Sequence, residues 1–208
     1  MKKDTQQTEA PIGRRERRRL ETREKLYRTA MELFAKRGYF ETTTEDITEA
    51  ADVGQGTFFN YFPTKSHVLL TLSEKQLGKV HAAVETAEKA ELPVREVFRR
   101  FIHSIVEDLA KSQALARSLL TIFVSEKDVR VLMGNTLAEG RAGLARICEI
   151  AQQRGEIRKD RKAADLAMTF QRNVLGTVLI WTMQGKTDLH VWLEKTLADF
   201  WDLAATKR

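Results

Sequence analysis

The sequence predicts an all-α fold of about nine helices. Three observations carry this. No segment of useful length alternates apolar and polar residues with the period of two that a half-buried strand requires. Only three prolines, Pro11, Pro63 and Pro93, interrupt the 208 residues. The apolar positions Val94, Val97, Phe98, Phe101, Ile102, Ile105, Val106 and Leu109 fall on one wide face of a helix.

The elements follow in order. Residues 1–13 read as a disordered tail. A first helix runs from about Arg14 to Arg37, with Leu26, Ala30, Leu33 and Phe34 as its stripe and Gly38 as its stop. Thr43 or Thr44 can cap a short second helix, with Glu45 and Asp46 in the first turn, where the helix dipole favours negative charge. That helix ends near Ala51. A third starts near Gln55 and stops before Pro63. Thr64 can cap a long fourth helix reaching about Lys89, and Pro93 opens a fifth. A sixth spans about Gln113 to Val124. A seventh runs from Lys127 to Arg154, with a break expected near Gly134, and Gly155 closes it. The last two occupy about Lys162–Gln184 and Leu189–Ala205, separated by Gly185 and Asp188.

Composition narrows the function. With 42% hydrophobic and 31% charged residues, the chain can bury a core and keep a polar surface. No run of 18 or more apolar residues offers a membrane span, and no apolar stretch follows Lys2 and Lys3 as in a secretory signal. The single Cys148 excludes an internal disulfide and a cysteine-based zinc site. These features place the protein in the cytoplasm with no membrane partner. His67, His81, His103 and His190 are too scattered for a metal site. No Walker, nucleophile-elbow or dinucleotide glycine pattern is present. No catalytic residue, metal or cofactor is therefore expected. The net charge of +6 favours polyanionic partners only weakly. The local concentration is stronger: Arg14, Arg15, Arg17, Arg18, Arg19, Arg23, Lys25 and Arg28 stand against Glu16, Glu21 and Glu24.

The stretch "VGQGTFFNYF" at 53–62 is the most informative. On a helix, Phe58 and Phe62 share a face that can pack on Ile47 and Ala51. The opposite face shows Gly56, Thr57 and Asn60, flanked by Phe59 and Tyr61. Gly56 is unfavourable inside a helix unless another surface must approach closely. Two short helices joined by a tight turn, one glued down and the other presenting a small polar face, follow the logic of a helix-turn-helix. Gln55 at the leading end can pair with an adenine edge. Thr57, Tyr61 and Lys65 can donate to phosphates.

Residues 24–70, "EKLYRTAMELFAKRGYFETTTEDITEAADVGQGTFFNYFPTKSHVLL", resemble the N-terminal DNA-binding domain of the TetR family of bacterial transcriptional regulators. The carrying pattern is A-x-x-L-F-A-x-x-G-Y, then T-T-x-x-D-I, then G-T-F-F-N-Y-F-P-T-K. The resemblance implies a helix-turn-helix DNA-binding domain at 14–65 and a helical ligand-binding and dimerisation domain at 66–208. It further implies a homodimer on a near-palindromic double-stranded DNA operator, and a small-molecule effector. By position, Thr44, Thr57, Tyr61 and Lys65 would meet phosphates, and Gln55 and Asn60 would meet bases. Gly56 would allow close approach. Phe59 stands where the family commonly has tyrosine and could touch a thymine methyl. Asp52 replaces the usual turn glycine and tolerates left-handed backbone. Glu45 would repel phosphate. Arg14, Arg15, Arg17 and Arg18 could reach the minor groove or backbone.

In the family, the last two helices pair with those of a second copy. Val178, Trp181, Trp192, Leu197, Phe200 and Trp201 are the candidates here, tryptophan being enriched at interfaces. A ligand pocket is expected among the preceding helices, lined by Phe98, Phe101, Ile102, Ile105, Leu119, Phe123, Met168, Phe170, Gln171 and Asn173, with His103 as a further polar candidate. Such a lining suits an apolar or amphipathic effector. The expected function is a dimeric, ligand-responsive repressor. An activator or less specific regulator using the arginine run, and an all-helical enzyme or small-molecule binder, remain open at this point.

Overall fold

The computed structural model describes residues 13–184 and 186–205. Residues 1–12 of the tail expected at 1–13, Gly185 and residues 206–208 lie outside the described residues. The described chain forms α1 (Arg14–Arg37), α2 (Thr44–Ala50), α3 (Gln55–Tyr61), a 3-10 turn (Lys65–His67), α4 (Val68–Glu88), α5 (Val94–Ala110), α6 (Gln113–Ser125), α7 (Lys127–Gln153), α8 (Ala163–Gln184) and α9 (Leu189–Ala204). Among these residues the only extended pairing is one antiparallel bridge between Ile157 and Ala205.

Local chemistry sets the boundaries. Gly38 ends α1 at φ 90°, a left-handed backbone that glycine adopts without steric penalty. A capping box starts α2: Asp46 N donates to Thr43 Oγ1 at 3.0 Å, and Thr43 N donates to Asp46 Oδ2 at 2.8 Å. Two orphan backbone donors are thereby satisfied reciprocally. The turn into α3 passes through Asp52 at φ 51°, so aspartate does take the left-handed position. Phe58 and Phe62 are buried, as are Ile47 and Ala51 on the facing helix.

Two apolar cores result. One gathers α1, α2, α3 and the start of α4, and then continues into α6 and α7 through Leu115, Leu119, Ile122 and Val129. The other joins α4, α5, α7, α8 and α9 around Phe98, Phe170 and Phe200, whose ring centroids lie 4.7 to 5.7 Å apart. The boundary expected near residue 65 is therefore bridged by a shared core. Polar contacts reinforce the bridge. Tyr39 N donates to Ser118 Oγ at 3.0 Å. Arg23 pairs with Glu74 and Lys75 with Glu24, tying α1 to α4.

The expected break in α7 near Gly134 does not occur; the helix is continuous from Lys127 to Gln153. One of its three glycines, Gly143, has a packing reason. A Cβ at Gly143 would sit 2.3 Å from Val80 Cγ1, so α4 and α7 cross closely there. The contact across the two helices outweighs glycine's poor helix propensity of about 1 kcal/mol.

Candidate DNA-binding surface and ligand cavity

The two short helices display the polar face expected of them. Gln55, Gly56, Phe59 and Asn60 are exposed, and Thr57 and Tyr61 are half-buried. No atom approaches the position a Cβ would take at Gly56, so the surface there is open. Phe59 is 46% exposed. Three of the expected contact residues are engaged within the chain. Gln55 Nε2 donates to Glu45 Oε1 at 2.7 Å, and the half-buried Thr44 donates its hydroxyl to Glu45 Oε2 at 3.2 Å. Lys65 donates to the carbonyls of Tyr39 and Thr42, both at 2.7 Å, and lies over the Tyr39 ring. Two of its three N–H groups thus lock the α1–α2 loop, and only the third remains for a phosphate. Burial lowers the pKa of this ammonium.

Arg14, Arg15, Arg17 and Arg18 are exposed, and they stand on the first turns of α1. None forms an ion pair among the described residues; Arg19 pairs with Glu16. The start of α1 is therefore a cationic rod projecting from the domain.

A cavity of about 560 Å³ lies between α4, α5, α6, α7 and α8. Of the expected lining, Phe101, Ile105, Leu119, Phe123, Phe170 and Gln171 border it. Phe98 and Ile102 do not. Both are fully buried in the second core, where Phe98 packs on Phe170, Phe200 and Trp201. Met168 and Asn173 also lie outside the lining, and Asn173 is exposed. Residues that the sequence reading missed complete the wall, notably Met31 of α1 and Leu72, Gln76, Leu77 and Val80 of α4. Gln76 Nε2 donates to Ile105 O at 3.2 Å, while its buried Oε1 has no hydrogen-bond partner. Gln171 is held by Arg141 and by the Leu137 carbonyl. His103 turns away from the cavity: it bonds His190 Nδ1 at 2.6 Å and Glu194 Oε1 at 2.5 Å, joining α5 to α9. Histidines 87 residues apart in sequence leave no local signal of this contact.

The expected interface residues need a similar correction. Val178, Trp181, Leu197 and Phe200 are buried within the chain itself, because α8 and α9 turn these faces onto the second core. The Trp181 indole N–H donates to Thr187 O at 2.9 Å, closing the turn between the two helices. Trp192 and Trp201 are half-buried. The apolar residues exposed on this helix pair are instead Leu175, Leu179, Ile180 and Met183 of α8, and Val191 and Leu203 of α9.

Residues 26–72 match the family described as "Bacterial regulatory proteins, tetR family". The matched segment covers the buried stripe of α1, both short helices and the first turn of α4. Over this segment the chain is similar to the DNA-binding part of that family. It is 37% identical over 97 residues to the HTH-type transcriptional regulator TcmR of Streptomyces glaucescens, covering 47% of this chain and 43% of TcmR. The chain thus spans less than half the length of that relative. The structure of Thermus thermophilus FadR, a TetR-family transcriptional repressor in complex with lauroyl-CoA, is similar at 27% identity and a TM-score of 0.63, covering 89% of this chain and 96% of FadR. The SmeT–triclosan complex shares the fold at 17% identity and a TM-score of 0.74, covering 90% and 93%. The described residues thus form an all-helical fold with an N-terminal helix-turn-helix.

Proposed function

We propose that this protein is a dimeric, ligand-responsive repressor that binds a palindromic operator and is released by a small apolar or amphipathic effector. One observation carries the reading. The cavity wall and the core of the helix-turn-helix unit share the same side chains: Met31, Leu72, Leu115 and Leu119 belong to both. A molecule entering the cavity therefore presses on residues that position α1, and through the Tyr39–Ser118 bond on the loop leading to α2. Close-packed cores transmit such displacement rather than absorb it.

The wall chemistry selects the effector class. Its polar side chains are few, chiefly Gln76, Asp108, Arg130, Thr136 and Gln171, so an apolar body with few hydrogen-bonding groups fits best. The buried Oε1 of Gln76 could accept from a ligand hydroxyl or amide. FadR, with its acyl-CoA ligand, supports a chain-like effector. Dimerisation through α8 and α9 is supported by their exposed apolar residues. Leu175 and Leu179 also border the cavity, so a second copy would close its outer side.

The mechanism is a population shift. The effector binds better to a conformation in which the two recognition helices no longer match successive major grooves, about 34–36 Å apart. Switching occupancy fully takes about 5.5 kcal/mol of differential affinity. The test is fluorescence anisotropy of operator DNA titrated with lauroyl-CoA or an unesterified long-chain fatty acid. Release of DNA as ligand binds is expected. Ligand binding that leaves DNA affinity unchanged would refute the coupling.

A further inference from the structure

Glu45 and Gln55 meet on the exposed surface where α2 and α3 begin. Gln55 Nε2 donates to Glu45 Oε1 at 2.7 Å, and Thr44 donates to the other carboxylate oxygen at 3.2 Å. The backbone N–H of Glu45 and the Thr44 hydroxyl, with Gln55 adding to them, hold this carboxyl below its usual range. Glu45 is thus ionised at neutral pH, and an ionised carboxylate only accepts hydrogen bonds. The amide of Gln55 therefore has one orientation, its nitrogen toward Glu45 and its carbonyl away. Turning it over would set two acceptor oxygens against each other with no proton between them.

The amide nitrogen carries two N–H groups, and Glu45 takes one. With the N–H anti to the carbonyl directed at Glu45, the other N–H lies beside Oε1, one donor next to one acceptor. That pair complements the major-groove edge of adenine, which offers the N6 donor and the N7 acceptor. Guanine offers two acceptors there, O6 and N7. Reading guanine would require both N–H groups of Gln55 to face the base, and the carboxylate would add repulsion against that acceptor-rich edge.

We propose that Glu45 is a positioning residue that fixes the Gln55 amide to accept adenine and reject guanine at one base pair of each half-site. The inference rests on the DNA-reading function proposed above. The two α2 helix-capping bonds between Thr43 and Asp46 do not involve the Glu45 side chain, so Glu45 can be replaced without removing the cap.

The experiment selects sites from a randomised DNA library with the full-length wild-type protein, Gln55→Ala, Glu45→Ala and Glu45→Gln. Gln55→Ala identifies the base pair that Gln55 reads, because preference vanishes there. At that pair the wild type is expected to select adenine. Glu45→Ala should lower its adenine-over-guanine preference by about tenfold while other positions keep theirs. Glu45→Gln should retain most of the preference, since its amide oxygen can still accept from Gln55. Guanine at that pair in the wild-type site would overturn the inference. So would a Glu45→Ala protein that binds all sequences more tightly with its adenine preference intact, which would reduce Glu45 to a repulsive charge. A wild-type protein that selects no motif would instead remove the DNA-reading function itself, and this inference with it.

Discussion

Lengthening an effector by one methylene is a small perturbation that the cavity should register. The wall around its roughly 560 Å³ is built almost wholly of Leu, Val, Ile, Phe, Met and Ala side chains. A methylene leaving water for such a wall gains about 0.8 kcal/mol, which is about fourfold in Kd. Ordering the added carbon offsets part of this, so a fall in Kd of about two- to fourfold per methylene is expected. The gain in affinity should stop when the cavity is full, because overpacking then displaces the wall. The assay is isothermal calorimetry with straight-chain fatty acids of increasing length. Parallel anisotropy measurements on operator DNA should show the half-release concentration falling by the same factor. A Kd independent of chain length, or one that weakens from the shortest acid onward, would refute an apolar cavity as the effector site.

Further substitutions test other parts of the account. Phe58→Ala removes a fully buried ring and should destabilise the helix-turn-helix by about 3–5 kcal/mol. Hydrogen exchange should show protection falling about a hundredfold or more in α2 and α3, while the α8 and α9 amides keep theirs; a uniform loss would contradict a locally anchored unit. Gly143→Ala should lower stability in urea by about 1 kcal/mol, because overpacking against Val80 exceeds the helix-propensity gain; a stabilised variant would show that α4 and α7 can part. Replacing Arg14, Arg15, Arg17 and Arg18 by alanine should reduce the salt dependence of DNA binding by about one phosphate contact for each arginine that touches DNA. An unchanged slope would leave the rod without a DNA role. Tyr61→Phe should weaken binding to all sequences alike, and a change in sequence preference would reassign it to a base.

Local features of this fold were the most legible in the sequence. Gly38, Thr43 with Asp46, Asp52 and Pro93 mark boundaries through backbone chemistry within a few residues, and the helices begin and end there. Phe58 and Phe62 share a buried face because four residues nearly complete a helical turn. What periodicity does not carry is the identity of the facing partner. The same apolar spacing on α8 and α9 serves a core or an interface equally, so Phe200 and Trp181 read as interface although the second core buries them. Leu175 and Met183, on another face of α8, stay exposed. The cavity shows the same limit. Phe98 and Phe101 are three residues apart on α5, yet one fills the aromatic cluster and the other borders the cavity. Met31 was legible as part of α1 but not as a cavity wall, since that depends on how α6 crosses α1. The Glu45–Gln55 bond likewise spans a turn whose geometry fixes which side chains meet.

The most direct test of the central claim is selection of bound fragments from sheared genomic DNA by the purified full-length protein, without effector and at near-physiological salt. The account predicts an enriched inverted repeat whose half-site centres lie about one helical turn, 34–36 Å, apart or a multiple of it. Enrichment without a shared motif, or none at all, would contradict a two-fold operator reader built on α3.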